Sequence, residues 1–382
     1  MSEAQDRAMD EDARAEARVI DGTSWAEFCD ALKGAGQIVL APDQPSDPLT
    51  RAEGFRYLSR LTRAALQTFV EHADPHAPVL QRVVHETAKM GADNPDNVYL
   101  NAAIDGRLQY RIAGRRGTVH FLSFATQIGH YGRGNGMPPT GQLDTSELSV
   151  RADGTFEVWL SQTRPDGLST GQNWLSTTAE TGTLIVRQTR LAPEETIAEL
   201  SIALVDGPRA PAPLTARRLD EGLASTGALV QGAAMLFAAW TRMFQAHTNA
   251  LPRFDQAMSN RFGGLADIAY YHSYWALGPD EALVIDATPP PCDHWNFQLN
   301  NHWMESLDYR HHRIHVNSHG ARLRPDGSVR IVVAHRDPGV PNWIETAGHE
   351  FGTMCFRWVR AEGEPLEPAV RVVAFDALAG LP

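Results

Sequence analysis

The feature that most constrains this chain is an internal repeat: residues 152–187 and 325–357 carry the same landmarks in the same order. Asp153-Gly154 matches Asp326-Gly327, Arg164 matches Arg336, Asn173-Trp174 matches Asn342-Trp343, and Gly182-Thr183 matches Gly352-Thr353. Fixed-order self-similarity marks a repeated structural unit, and two copies make a pseudo-symmetric pair rather than a solenoid. Both copies are short apolar runs ended by Gly, Pro or Asp-Gly, the pattern of strands and hairpins. Without regular strand–helix alternation, such runs predict antiparallel sandwiches or barrels. The chain is therefore expected to be mainly β with helical additions: two tandem antiparallel β-sandwich or jelly-roll-like units related by internal duplication, each preceded by helices.

The remaining sequence divides around these copies. Residues 1–20 are acidic and polar, which predicts a disordered tail and not a secretory signal. A helical region is expected over 21–93: a Thr-Ser pair opens helical spacing at 24–33, and Phe55, Leu58, Leu61, Ala65 and Phe69 recur every three or four positions, predicting one buried face. The first β unit spans 94–205, a linker and second helical region 206–265, and the second β unit 266–382. Residues 222–241 carry no charge and approach the ~20 residues that span a bilayer. Their many alanines, glycines and polar side chains make the stretch only weakly apolar, so a buried helix between the β units is expected.

Composition excludes some functions. A formal net charge of −12 over 382 residues, with no basic stripe, opposes nucleic-acid binding. Three widely spaced cysteines, Cys29, Cys292 and Cys355, fit a reducing compartment and place the protein in the cytoplasm. No nicotinamide, flavin or ATP motif is visible, and the Gly-rich stretch at 131–141 lacks the lysine of a P-loop, so it reads as a loop over a site. The expectation is no organic cofactor, no membrane, a small-molecule substrate, and a homo-oligomeric state left open, with the Ala- and Gly-rich helix as a candidate contact.

The segments WNFQLNNHWMESLDY and RPDGSVRIVVAHRDPGVPNWIETAGHEFGTMCFRW resemble the bacterial family known as domain of unknown function 1214, over residues 286–360 and so in the C-terminal half only. That resemblance implies a β-sandwich or jelly roll with helical additions, and it implies no established reaction. The N-terminal half does not read as the partner domain 1254 often found with this family. It reads as a diverged relative of the C-terminal half.

What the copies share is expected to be scaffold, so chemistry is sought where they differ. Nine of the 15 histidines fall between His272 and His349. Strand alternation in the first of these runs puts Trp295, Phe297 and Leu299 on one face, and His294, Asn296, Gln298, Asn300 and His302 on the other, a polar row able to line a cleft or face water. In the next run, His311, Arg313 and His315 share a face, but His311 and His315 lie ~13 Å apart along a strand, too far to share an ion. A composite metal site of His302, His315 and His335 from separate strands is the arrangement that spacing leaves open; no metal ligands are assigned.

Acid–base chemistry is the stronger functional reading. Glu305, Asp308 and Tyr309 sit between the two His-bearing runs, and a carboxylate beside a histidine fixes its tautomer and raises its basicity. The expected catalytic set is His302, Glu305, Asp308, Tyr309, His315 and His335. The expected substrate-binding set is His294, Asn296, Gln298, Asn300, Trp303, Arg310 and Arg313, with the arginines orienting an anionic group. The function these residues predict is a cofactor-free lyase, isomerase or hydrolase acting on a small, partly apolar or aromatic molecule. The alternative is a non-catalytic β-sandwich protein that binds a small molecule or a carbohydrate. Pocket shape discriminates: a closed cleft with a carboxylate touching a histidine favours the enzyme, and an open groove with exposed Trp favours binding.

Overall fold

The computed structural model describes residues 3–134, 136–207 and 210–380. The first β unit contains β1 (Asn97–Ala103), β2 (Tyr110–Arg115), β3 (Phe121–Ile128), β4 (Pro139–Asp144), β5 (Thr155–Ser161), β6 (Asn173–Ser176), β7 (Thr181–Thr189) and β8 (Glu199–Leu204). The second contains β9 (Ile268–Ala276), β10 (Glu281–Ala287), β11 (His294–Leu299), β12 (His315–Asn317), β13 (Val329–Ala334), β14 (Trp343–Glu345), β15 (Phe351–Val359) and β16 (Ala369–Ala374). The first unit stacks a β1-β7-β3-β4 sheet on a β6-β5-β2-β8 sheet, and the second stacks β9-β15-β11-β12 on β14-β13-β10-β16. Every strand thus has a counterpart at the same place in the other unit. Even the two parallel pairings, β5 with β6 and β13 with β14, are equivalent.

The shared landmarks explain this identity of topology. Asn173 donates to the carbonyls of Ser149 and Glu157, both at 2.8 Å, and accepts from Ser149 N. Asn342 repeats the pattern with Arg322 and Arg330, again at 2.8 Å, and with Arg322 N. Each amide satisfies backbone groups that the short parallel strand would otherwise leave unpaired. The Asp-Gly pairs turn their chains with Gly154 at φ 82° and Gly327 at φ 83°, a backbone open to glycine. Each unit has its own core, Phe124, Phe156, Val158 and Val186 in the first and Phe297, Ile331, Phe356 and Trp358 in the second.

Helices fill the space beside the sheets: α1 (Glu3–Ile20), α2 (Thr23–Val39), α3 (Pro48–Leu66), α4 (Ala216–Gln245) and the short α5 (Gln256–Arg261). Asp47 caps α3 by accepting from Thr50 N with Pro48 in the first turn, and Thr215 caps α4 by accepting from Arg218 N. By length and composition α4 could cross a membrane. Its small-residue face is nevertheless packed in a core with α2, α3, Tyr274 and Trp303, as expected of a helix lying between the β units. Two backbones touch there: a Cβ on Gly132 would sit 1.9 Å from Ala228 O, and one on Gly232 would sit 2.2 Å from Tyr131 O. These glycines let the Gly-rich loop after β3 lie directly on α4.

Several local expectations need correction. Residues 3–20 are helix α1 and not a disordered tail, because Arg18 bridges Glu27 and Asp220 and Ala15 is buried. Phe55 is 47% exposed, and the buried face of α3 runs through Gly54, Tyr57, Leu58, Leu61, Ala64 and Ala65 instead. The run around His311 is turn rather than strand, and only His315–Asn317 pairs with β11. The polar row of β11 is buried like its apolar face, since the segment at residues 93–96 closes over it. All three cysteines are free thiols.

Candidate functional site

Between the two β units lies a cavity of about 430 Å³. Its walls come from β1, β7, β9, β15, the π turn that ends α3 at Gln67–Glu71, α4, and the loops around residues 90–94, 129–137 and 262–264. Phe69, Phe237, Trp240, Phe262, Met90 and Met137 make most of the surface apolar. Trp240 is the hub of the aromatic wall, with Phe237 at 5.9 Å, Phe262 at 5.7 Å and Phe254 at 5.0 Å between ring centroids.

The polar groups of this cavity repeat across the duplication. Arg187 on β7 stands opposite Tyr99 on β1, and Arg357 on β15 stands opposite Tyr270 on β9. Each arginine reaches over the seam to a carbonyl in the loop that leads into the other unit: Arg187 Nη2 donates to Gly263 O at 2.9 Å, before β9, and Arg357 Nη2 donates to Ala92 O, before β1. Both carbonyls belong to residues with left-handed backbone, Ala92 at φ 57° and Gly263 at φ 92°. The tyrosines are held alike, Tyr99 Oη accepting from Asn94 N at 3.0 Å and Tyr270 Oη from the Leu265 backbone. Two Tyr–Arg pairs related by pseudo-twofold symmetry therefore converge on one cavity.

Charge in this cavity is one-sided. Arg357 is 6% exposed and donates to Gln298 Oε1 at 2.6 Å and Asn296 Oδ1 at 3.4 Å, both neutral. Arg187 Nη1 is buried with no hydrogen-bond partner. Neither guanidinium forms an ion pair with a carboxylate among the described residues. The one acid on the described wall, Asp93, is hydrogen-bonded to neither arginine: its oxygens accept from Ser306 N and Oγ, and burial raises its carboxyl against the charges of Lys89 and Arg357. Guanidinium does not deprotonate in proteins, so the positive charge persists and is costly until an anion meets it.

Two imidazoles and a phenol complete the lining. His272 is stacked between Phe244 and Tyr270, at 5.3 and 5.7 Å, with Nδ1 unpartnered. Burial, then the charge of Arg357, brings its pKa down to about 3. His130 Nδ1 accepts from Gly132 N at 3.2 Å, which puts the proton on Nε2, a donor without a partner. Burial, then Arg133, brings His130 down to about 4, so both rings are neutral at physiological pH. Burial pushes the Tyr131 phenol up to about 12, which keeps it protonated.

The residues singled out from sequence lie elsewhere, two of them directly behind the wall. Asn296 and Gln298 hold the Arg357 guanidinium, and Asn300 bonds Gln298 and Thr353. His302 is buried between Tyr274 Oη at 3.0 Å and Gln44 Oε1 at 2.8 Å, and burial brings it down to about 4. Trp303 is a core residue whose Nε1 donates to Thr50 O. Glu305 pairs with Arg60 at 2.6 Å, and its carboxyl is raised by burial despite that partner. Asp308 and Arg310 form an exposed bidentate pair that holds the carboxyl well below its ordinary range.

The rest are also separate. Tyr309 packs under the Lys89 ammonium at 4.5 Å, and burial raises its phenol. His315 Nε2 is 3.2 Å from Asp96 Oδ1, and His335 is bonded to Thr346 Oγ1 and Gly278 O. The side chain of Arg313 is exposed, and its carbonyl accepts from Glu345 N. His302, His315 and His335 thus have different neighbours and do not converge as metal ligands among the described residues. His294 belongs to a different cluster, with His120 and Asp293.

Reading shared residues as scaffold passes over Arg187, Arg357 and Tyr99, although the segments Gly182–Arg187 and Gly352–Arg357 align residue for residue and end on the arginines. The Gly-rich loop after β3 does lie over the site, through His130, Tyr131 and Met137; its Asn135 is outside the described residues.

Fold and cavity together define a tandem β-sandwich protein with a ligand-sized, positively charged pocket at its internal seam. The chain belongs to the family described as protein of unknown function (DUF1214), whose model matches residues 101–193 and 282–362, one stretch in each β unit. The first-unit match extends the resemblance beyond the C-terminal half. It is similar to the crystal structure of an uncharacterized protein from Burkholderia cenocepacia, with 50% identity over 94% of this chain and 99% of that one, and a TM-score of 0.91. The VPA0106 protein from Vibrio parahaemolyticus shares the fold at 13% identity, over 84% of this chain and 98% of that one, with a TM-score of 0.51. No curated protein matches this chain.

Proposed function

We propose that this protein binds a small organic anion with an apolar, ring-bearing body in the cavity between its two β units. The observation that carries this reading is the convergence of Arg187 and Arg357 on one cavity with no carboxylate hydrogen-bonded to either among the described residues. A carboxylate, phenolate or enolate oxygen from the ligand supplies the missing acceptor, at about 1.5–3 kcal/mol for each charged hydrogen bond. The aromatic wall fits the remainder of such a molecule, and the volume falls in the range of roughly 300–1,000 Å³ common to small-molecule sites. A mostly apolar wall suits an aromatic or alicyclic acid better than a carbohydrate.

His130 and His272 favour a second reading, acid–base turnover of the bound anion without an organic cofactor. Each is a neutral imidazole on the cavity wall with one ring nitrogen unpartnered: His130 Nε2 offers a proton to the ligand, and His272 Nδ1 is a free position, a weak base because burial lowers its pKa. Thermal unfolding with a panel of aromatic and alicyclic carboxylates and their primary amides tests the binding reading. Acids should raise the Tm and amides should not; equal shifts from both series refute an anion site. For turnover, His272→Phe should keep the acid-induced shift and lose product by mass spectrometry. Product that persists in both His272→Phe and His130→Phe removes the acid–base reading.

A further inference from the structure

We propose that His120, Asp293 and His294 form a binding site for a divalent first-row transition ion of the zinc type at the junction of the two β units, apart from the seam cavity. The three side chains offer two imidazole nitrogens and a carboxylate oxygen, with all ligand atoms within 4.8 Å of one another. His120 Nε2 is 2.9 Å from Asp293 Oδ1, and His294 Nδ1 is 3.4 Å from Asp293 Oδ2. Metal–ligand bonds of about 2.0–2.2 Å in tetrahedral array place neighbouring ligand atoms roughly 3.3–3.6 Å apart, so a pair at the 4.8 Å limit closes by about 1.2–1.5 Å, shared between two side chains.

A second observation points to a ligand. His294 is 4% exposed, and its Nδ1 lies buried within the ligand set, 3.4 Å from Asp293 Oδ2 and without a hydrogen bond. A buried imidazole nitrogen left unsatisfied costs about 1–3 kcal/mol, and a metal ion would use that lone pair. The ring is fixed by Phe121 at 6.1 Å and by His120 edge-on at 5.5 Å. Asp293 is anchored by its backbone N–H to Val359 O at 2.9 Å. The nearby cation, Arg360 over the Phe121 ring at 5.2 Å, is itself neutralised by Asp144 and Asp267.

Geometry also shows why the site needs both units. Ser123 and Asn296 stand opposite the two cavity arginines in their sheets, and three residues before each are His120 and Asp293. These two occupy the same position of their units and touch each other, so the junction lies on the pseudo-symmetry itself. His120 and Asp293 keep 37% and 29% side-chain exposure, which lets an ion enter and leaves a fourth position for water. Two imidazoles with one carboxylate suit Zn²⁺ and its neighbours over Mg²⁺ or Ca²⁺, which prefer all-oxygen sets.

The test uses full-length protein stripped with chelator and titrated with Zn²⁺ and, separately, Mg²⁺ by calorimetry, with circular dichroism to confirm folding. Wild type should take up one Zn²⁺ per chain and show no Mg²⁺ binding. His120→Ala and Asp293→Asn, both at partly exposed positions, should each weaken Zn²⁺ by more than about tenfold while remaining folded. Absence of stoichiometric Zn²⁺ uptake by wild type, or a loss under tenfold in both variants, overturns the proposal.

Discussion

Arg187→Met separates a binding role from a structural one, because its two effects are unequal. In the folded protein Arg187 makes one hydrogen bond of note, to Gly263 O at 2.9 Å, and leaves Nη1 unpartnered. Removing the side chain forfeits a charged hydrogen bond worth about 1.5–3 kcal/mol. It also relieves a partly buried guanidinium without a counter-ion, a penalty of up to several kcal/mol that offsets the loss. Methionine fills much of the volume against the surrounding aromatic wall. The change in unfolding free energy should therefore stay within about 2 kcal/mol, read from urea melts at pH 7. Binding of an aromatic carboxylate should suffer more: removing one partner of a desolvated charge pair costs roughly 2–5 kcal/mol, or about 30- to 5,000-fold in Kd. Calorimetry on wild type and variant measures this directly, with the neutral amide as the control. A variant that loses more than ~3 kcal/mol of stability yet binds the acid as well as wild type would refute the argument and make Arg187 a seam strut.

Other outcomes follow from groups away from the cavity. His349 Nε2 meets Glu53 Oε2 at 3.1 Å, clamping α3 to the loop before β15. Burial pulls the imidazole down, but the Glu53 bond and charge carry it above 6.5 overall, while the same contact lowers Glu53 below 4.5 against its own burial. A raised histidine stabilises the fold below its unfolded pKa and loses that contribution as pH rises through the folded value; the lowered glutamate contributes above its unfolded pKa and loses it in acid. Stability from the clamp should thus be greatest between about pH 5 and 6.5 and decline on the alkaline side. His349→Gln should flatten that decline in melts across pH 5.5–8.5; an unchanged slope rejects the clamp. Asn173→Ala and Asn342→Ala each remove three side-chain-to-backbone hydrogen bonds from one unit. Each should cost about 2–4 kcal/mol, and because the sites lie in separate cores the double variant should add within ~0.5 kcal/mol. Strong non-additivity would mean that the units do not hold their turns independently.

The architecture was legible because its determinants are local and duplicated. Asp-Gly turns, the Asn-Trp pairs and short apolar runs sit in the same order twice, and each performs the same local task in both units. The cavity was not legible for two physical reasons. Its arginines reach across the seam to Gly263 and Ala92, in the loops that lead into β9 and β1, and no sequence spacing encodes a contact between segments so far apart in the chain. Subtracting what the copies share also discards what the copies build together, and Tyr99, Tyr270, Arg187 and Arg357 are shared. The histidine-rich segment drew attention for its composition, yet Asn296 and Gln298 contribute by gripping Arg357 from behind, while His302 and Trp303 hold the helical layer to the sheet. Helix α1 was missed because its partner, Asp220, lies some 200 positions away, the separation being 202 from Arg18.

The reciprocal arginines carry a consequence for how a ligand is oriented. A pocket assembled from two identical halves must treat both ends of its occupant alike, so any bound molecule would sit in two equivalent directions. Joining the halves in one chain lifts that constraint, because each can change without the other. The lining already differs across the pseudo-axis: Asn101, opposite Ile185 in its sheet, corresponds to His272, opposite Cys355. One end of the cavity therefore presents an amide and the other an imidazole beneath a matched pair of cations. Such a lining can tell the head of a molecule from its tail while gripping its charge from both sides.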